Sequence, residues 1–205
     1  MHKKKAGRVA VLLSGRGSNF NALYHDSLAS DSGYRVVLVV SDNKAAPGLL
    51  RAREIGLDTV FLDPELLSGC PAFSRQLVKE LQFRNVDLIC LAGFMRILGR
   101  QVVDTYAGRI LNIHPALLPA FPGLNAQRQA LEYGVKCSGC TVHFVDRGMD
   151  TGPIVLQQCV EVLDHDNEDS LSRRILEAEH RLFPRAVRLF FAGNLCLEGR
   201  RVRIK

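Results

Sequence analysis

Short apolar runs of β type alternate with helical patterns over the first half of this chain, and no other feature restricts its fold as strongly. The runs 9–13, 35–40, 59–62, 86–91 and 109–114 read as strands. Between them lie helical patterns at about 19–28, 47–55, 71–83 and 100–106. Ser18 is a cap residue for the first, Pro47 suits the opening turn of the second, and Gly56 suits its stop. A strand that returns in the same direction needs a long crossover, usually a helix. The alternation therefore predicts a parallel sheet covered by helices on both faces.

The second half departs from this rhythm. Pro115, Pro119, Pro122 and Gly123 predict an irregular stretch, followed by a helix at 125–133. Strands at 139–145 and 154–162 flank a glycine-rich turn. A long helix over 167–191 carries Leu171, Ile175, Ala178, Leu182, Ala186 and Leu189 at helical spacing, with Pro184 inside it as an expected kink. No repeat, low-complexity segment or linker interrupts the chain. Its 205 residues suffice for one substantial core, so a single domain over 1–205 is expected.

Composition bounds the function. Apolar residues make up 47% and charged residues 23%, a globular balance. The net charge of +6 favours an anionic ligand such as a phosphate or a polycarboxylate, and it is too dispersed to predict nucleic-acid binding. The basic run at 200–205 reads as a solvated tail or an edge strand. Met1-His2-Lys3-Lys4-Lys5 imitates the start of a signal peptide, but the apolar run after it is too short. No stretch approaches the roughly 20 apolar residues of a membrane span, so a cytoplasmic location is expected. The six cysteines are scattered. Cys137 and Cys140 form the one close pair, with His143 nearby, but a second ligand pair is lacking and strand alternation sends the two thiols to opposite faces. No metal is expected.

In parallel α/β sheets, ligands bind beyond the carboxyl ends of the strands, and the distinctive residues follow the strands here. Ser14-Gly15-Arg16-Gly17-Ser18-Asn19 joins the first strand to the first helix. Glycines there permit a sharp turn, and the free amides of the first helical turn then converge on one anion site. A dinucleotide fingerprint, with Asp42 as the ribose acid, would need a third glycine where Phe20 stands. The pattern is therefore read as a phosphomonoester loop; a tight turn without a ligand is the plainer alternative. Asn112-Ile113-His114 closes the fifth strand and places Asn112 and His114 on one face. A carboxamide donor beside an imidazole can stabilise an oxyanion and move a proton, although a structural pair has the same sequence. Asp146-Arg147-Gly148-Met149-Asp150-Thr151-Gly152-Pro153 is an ordinary hairpin turn or one that brings a carboxylate to His114, where it would raise the imidazole pKa. Gly93-Phe94-Met95-Arg96-Ile97-Leu98 follows the fourth strand and suits either a flat aromatic ligand or a buried helix start.

Taken together, Leu13-Ser14-Gly15-Arg16-Gly17-Ser18-Asn19, Leu91 to Leu98, Leu111-Asn112-Ile113-His114-Pro115-Ala116-Leu117-Leu118-Pro119, Phe121-Pro122-Gly123-Leu124 and Val145 to Ile154 resemble the phosphoribosylglycinamide formyltransferase family. The similarity runs from about Arg8 to Gly193 with the spacing between motifs kept. The resemblance implies a Rossmann-like α/β fold whose largely parallel, seven-stranded sheet has one antiparallel strand near the edge. It implies one formyltransferase domain, with a phosphate-binding βαβ half followed by a half that carries the catalytic residues and the folate site. It also implies transfer of the formyl group of 10-formyltetrahydrofolate to the amine of 5-phosphoribosylglycinamide, in purine biosynthesis. Asn112, His114 and Asp150 would be catalytic. Gly17, Ser18, Asn19 and Glu179 would hold the ribonucleotide, and Met95, Arg96, Ile97 and Leu98, with Asn112, the folate. The expected partners are small molecules, with no nucleic acid and no membrane, for a monomer or a homodimer.

The chain departs from the family at Cys70-Pro71, where a basic residue that helps hold the folate tail is often found, at Ala116, and at Arg147. Two other formyl-folate enzymes share the core. Methionyl-tRNA formyltransferase carries a further C-terminal domain, and formyltetrahydrofolate hydrolase an N-terminal regulatory one. The segment Phe121-Pro122-Gly123-Leu124-Asn125 resembles the ribonucleotide enzyme rather than either.

Overall fold

The computed structural model describes residues 5–65, 67 and 70–205. The start of the basic segment that imitates a signal peptide, and the Cys70 side chain, lie outside the described residues. The fold is α/β, with an open, mostly parallel sheet flanked by helices. Chain contacts divide it into two compact units, Met1–Leu111 and Asn112–Lys205, and the division falls inside strand β5 (Ile110–His114).

In the first unit, β1 (Gly7–Leu13), β2 (Tyr34–Ser41), β3 (Asp58–Phe61) and β4 (Leu88–Leu91) lie in the order β3-β2-β1-β4, each pair parallel. Val9 to Leu13 are fully buried on both faces, which explains an unbroken apolar run in place of an alternating one. Each valine or leucine of the run contributes about 1.5–3 kcal/mol relative to exposure. Helices α1 (Ser18–Ser27), α2 (Pro47–Glu54), α3 (Cys70–Phe83) and α4 (Arg100–Thr105) form the crossovers and flanks, close to the expected ranges.

One local expectation fails. Ser18 does not cap α1: the cap position is Gly17, at φ 76, with no side-chain cap hydrogen bond. Glycine is required at that point on two counts: its φ is left-handed, and it packs on Gly48 at the start of α2, where an added Cβ would lie 2.7 Å from the Gly48 Cα.

In the second unit β5 is followed in the sheet by β6 (Cys137–Phe144), β7 (Ile154–Glu161), β9 (Arg201–Ile204) and β8 (Leu195–Glu198). Strands β6 and β7 form the expected antiparallel pair around the turn. Helix α5 is Ala126–Tyr133. Helix α6 (Glu168–Ala192) opens on an Asn167–Ser170 capping box, continues through Pro184, and buries Leu171, Ile175, Ala178, Leu182 and Ala186 as its spacing requires. Beyond the seven strands of the resemblance, the chain adds β8 and β9, an antiparallel hairpin. The basic C-terminal run is thus a strand paired with β7 at Ile154 and Arg201. Cys137 is exposed and Cys140 buried, on opposite faces of β6.

Candidate functional site

Strand β5 fixes the first two residues of the site by alternation. Ile113 is buried on one face, while Asn112 and His114 share the other, His114 at 4% exposure. The turn between β6 and β7 supplies the third. Asp146 organises that turn, its Oδ1 accepting from Gly148 N at 3.0 Å and from the Thr151 hydroxyl at 2.6 Å. Asp150 sits in it at φ 53, a left-handed conformation that a non-glycine residue keeps only when its surroundings hold it. The surroundings are the site. Asp150 Oδ2 accepts from Gly123 N at 2.8 Å and lies 3.4 Å from His114 Nδ1. Asp150 Oδ1 lies 3.4 Å from Asn112 Nδ2. The structure therefore brings Asn112, His114 and Asp150 together in the second unit.

A fourth residue belongs to this cluster. His143, 2% exposed on β6, lies with Nε2 3.1 Å from Asn112 Nδ2 and 3.6 Å from Asp150 Oδ1. Its Nδ1 is 2.8 Å from the Phe144 carbonyl, which can only accept, so in the neutral ring Nδ1 carries the proton and Nε2 accepts from Asn112, while in the protonated ring Nε2 can donate to Asp150. The β6–β7 register shifts between Val142 and His143, a bulge of the kind that re-aims a side chain. The only signal in the sequence was a polar residue inside an apolar strand.

The electrostatics qualify one expectation. His114 Nε2 donates to the Phe121 carbonyl at 2.8 Å, so in the neutral ring Nδ1 is the free acceptor, facing Asp150. Burial lowers the His114 pKa most; the Asp150 charge and the Phe121 carbonyl raise it, His143 lowers it further, and the net direction is down. Asp150 thus pulls as expected, but desolvation of a nearly fully buried ring outweighs it. For Asp150, burial works upward, and the His143 contact, the Gly123 N–H and the two imidazoles outweigh it, so its pKa is lowered. The resting pair is a carboxylate beside a largely neutral imidazole whose unprotonated nitrogen faces it. A proton arriving at Nδ1 makes an imidazolium with an oxygen acceptor at each nitrogen.

Glu179 is also in the second unit, on α6, 5% exposed and close enough to Cys140 for its charge to act on the thiol. Burial first, then Glu179, pushes Cys140 up to about 12.

The remaining candidates lie in the first unit. Gly17 closes the loop after β1, and Ser18 and Asn19 open α1, where the first helical amides have no partner within the helix. Ser14 ties this loop to the one after β4: its N donates to the Gly93 carbonyl, and its hydroxyl oxygen accepts from Met95 N, both at 2.9 Å. Met95 and Ile97 are 63% and 70% exposed, an open apolar surface, whereas Leu98 is buried. The Arg96 guanidinium stacks over the Phe73 ring at 5.5 Å.

Comparison with known proteins gives this geometry its setting. The family model for formyl transferase matches residues 7–187. A phosphoribosylglycinamide formyltransferase of Bacillus subtilis is 39% identical over 187 residues, covering 91% of this chain and 96% of its own. The trifunctional purine biosynthetic protein adenosine-3 of Drosophila melanogaster is 47% identical over 196 residues, 95% of this chain, but the chain spans only 14% of that longer protein. The crystal structure of a glycinamide ribonucleotide transformylase 1 from Symbiobacterium toebii superposes with a TM-score of 0.97 at 50% identity, covering 100% of this chain and 97% of that one. With its motifs, its fold and nearly its whole length shared in this way, the chain belongs to the formyl transferase family, in the group that includes the phosphoribosylglycinamide formyltransferases.

Proposed function

We propose that the chain transfers the formyl group of 10-formyltetrahydrofolate to the amine of 5-phosphoribosylglycinamide, in purine biosynthesis. The observation that carries this reading is the convergence of the Asn112 carboxamide and the His114 imidazole on the Asp150 carboxylate. The substrate amine attacks the formyl carbon and a tetrahedral oxyanion forms. Asn112 Nδ2 donates to it with the hydrogen that otherwise faces Asp150 Oδ1, and His114, protonated as charge develops, stabilises it. Asp150 holds that imidazolium and helps carry the proton from the attacking amine toward the folate nitrogen, the leaving group. A buried ring that charges only when the oxyanion appears favours the transition state over the ground state.

In this reading Gly17, Ser18 and Asn19 bind the substrate phosphate and Glu179 its ribose. Met95, Arg96, Ile97 and Leu98, with Asn112, receive the folate. The whole chain acts as one formyltransferase domain, cytoplasmic, monomeric or homodimeric, and the chemistry enlists no metal. The test is direct: mix the protein with the two substrates and follow tetrahydrofolate. Release of tetrahydrofolate that requires the ribonucleotide supports the reading; formate release without it would show a hydrolase instead.

A further inference from the structure

The residues between His114 and Gly123 form a proline-rich loop, and its position bears on His114 through one atom, the Phe121 carbonyl that accepts from Nε2. Phe121 is itself held at φ 53. Packing buries Ala116 and Leu118 but supports this loop on one side only. A cavity of about 350 Å³ lies along it, lined by Leu117, Ala120, Phe121, Tyr133, Val135 and Cys137. On that side the loop has room to move, so something else must hold it.

The hold comes from β6 and β7. Gln157 Nε2 donates to the Leu118 carbonyl at 2.9 Å and to the Thr141 hydroxyl oxygen at 3.0 Å. The Thr141 hydroxyl donates to the Ala116 carbonyl at 2.6 Å and accepts from Leu118 N at 3.0 Å. The stoichiometry is complete. A carboxamide nitrogen has two hydrogens, and both are used. A hydroxyl has one hydrogen and two lone pairs, and all three are used. Thr141 is fully buried, so its second lone pair depends on Gln157. Gln157 itself is exposed, outside the core, so its retention of this geometry serves the loop rather than packing.

We infer that Gln157 is a positioning residue for His114: it anchors the 115–121 loop from β7 and thereby sets the Phe121 carbonyl against Nε2. The inference rests on the formyl-transfer reading only for its kinetic readout; its structural readout is independent. His114 is faced by Asp150 from the β6–β7 turn, by His143 from β6 and by the Phe121 carbonyl from the loop. Of these, Gln157 acts first on the carbonyl and, through the Gly123 N–H two residues further on, on Asp150.

Two variants test it. Gln157→Glu keeps the size and removes both donated hydrogens; Gln157→Leu removes them with the polarity. In both, the His114 pKa followed by NMR should fall, because the Phe121 carbonyl raises it. In both, kcat should fall about tenfold or more while the Michaelis constants stay within about threefold, the pattern of a displaced catalytic group. A wild-type His114 titration and kcat in Gln157→Leu would overturn the inference, whatever the melting temperature does. So would a Gln157→Glu protein that behaves as wild type while Gln157→Leu does not, since size and not donation would then matter. If the wild-type protein failed to transfer formyl, the NMR result would still decide the positioning role.

Discussion

Asp150 Oδ2 lies 3.4 Å from His114 Nδ1, and the same oxygen accepts from Gly123 N at 2.8 Å. The carboxylate is therefore tied at one side to the loop that follows His114 and faces the ring at the other. This pairing decides how easily His114 charges. Asp150→Asn keeps the shape and removes the charge. The His114 pKa, already below its ordinary value, should fall further, because the Asp150 charge is the largest influence raising it. The kcat for formyl transfer should drop by about two orders of magnitude, the range for losing acid–base or oxyanion assistance. The Michaelis constants should change far less. An unmoved His114 titration together with a near-normal kcat would reduce the turn to a plain hairpin.

The same shifts predict the pH dependence of stability. His114 and His180 both have pKa values lowered, chiefly by burial. A lowered histidine pKa means that the unfolded chain binds more protons than the folded one below the ordinary value, about 6.5. Stability is then complete above that pH and declines as pH falls through it. Asp150 is also lowered, and Asp166, facing Arg174, lies at about 2, so their contributions are lost at still lower pH, below the usual carboxylate range. The melting temperature should be flat from pH 8 to about 7 and fall from there toward pH 5. A melting temperature that holds level or rises as pH drops to 5 would contradict the assigned directions.

Gly17 is the position where backbone requirement and function overlap. Its φ of 76 is costly for any other residue, and an added Cβ would meet the Gly48 Cα at 2.7 Å. Gly17→Ala should therefore cost about 1–3 kcal/mol of stability, seen as a melting temperature lower by several degrees. Because the substitution also displaces the start of α1, the Michaelis constant for the ribonucleotide should rise more than that for the folate. Unchanged stability would mean that the α1–α2 approach is looser than the structure has it.

How far the sequence speaks can be judged from particular residues. The parallel strands were legible because burial on both faces leaves unbroken apolar runs, as in Val9 to Leu13. Asn112 and His114 were legible as a pair because a strand has period two. The antiparallel β6–β7 turn followed from its glycines. Ser18 was misread because the cap position fell to Gly17, a left-handed residue whose lack of a Cβ the Gly48 contact, remote in sequence, also requires. Strand β8 and its pairing with β9 were not legible, because the apolar run Leu195-Cys196-Leu197 is too short to fix a strand or its partner. His143 was passed over because its meaning depends on a bulge and on which ring nitrogen the Phe144 carbonyl occupies, and no spacing encodes either.

His143 therefore carries the last prediction. With Nδ1 committed to the Phe144 carbonyl at 2.8 Å, Nε2 is left to accept from Asn112 Nδ2 at 3.1 Å, which orients the carboxamide. When the ring also carries a proton at Nε2 it donates to Asp150 instead, and this contact is the largest of the influences that hold the Asp150 pKa down. His143→Leu removes both effects at similar volume. Asn112 then keeps only the longer approach to Asp150 Oδ1, at 3.4 Å. The carboxylate loses its strongest support, so its pKa should move back up. If formyl transfer needs Asp150 ionised, the acid limb of the pH–kcat profile should shift to higher pH, since protonation now begins sooner. At neutral pH kcat should fall about tenfold, less than for Asp150→Asn, because the carboxylate and His114 both remain. A merely structural His143 would give a lower melting temperature with the acid limb in place. That result, with kcat within about twofold of the wild type, would remove His143 from the site.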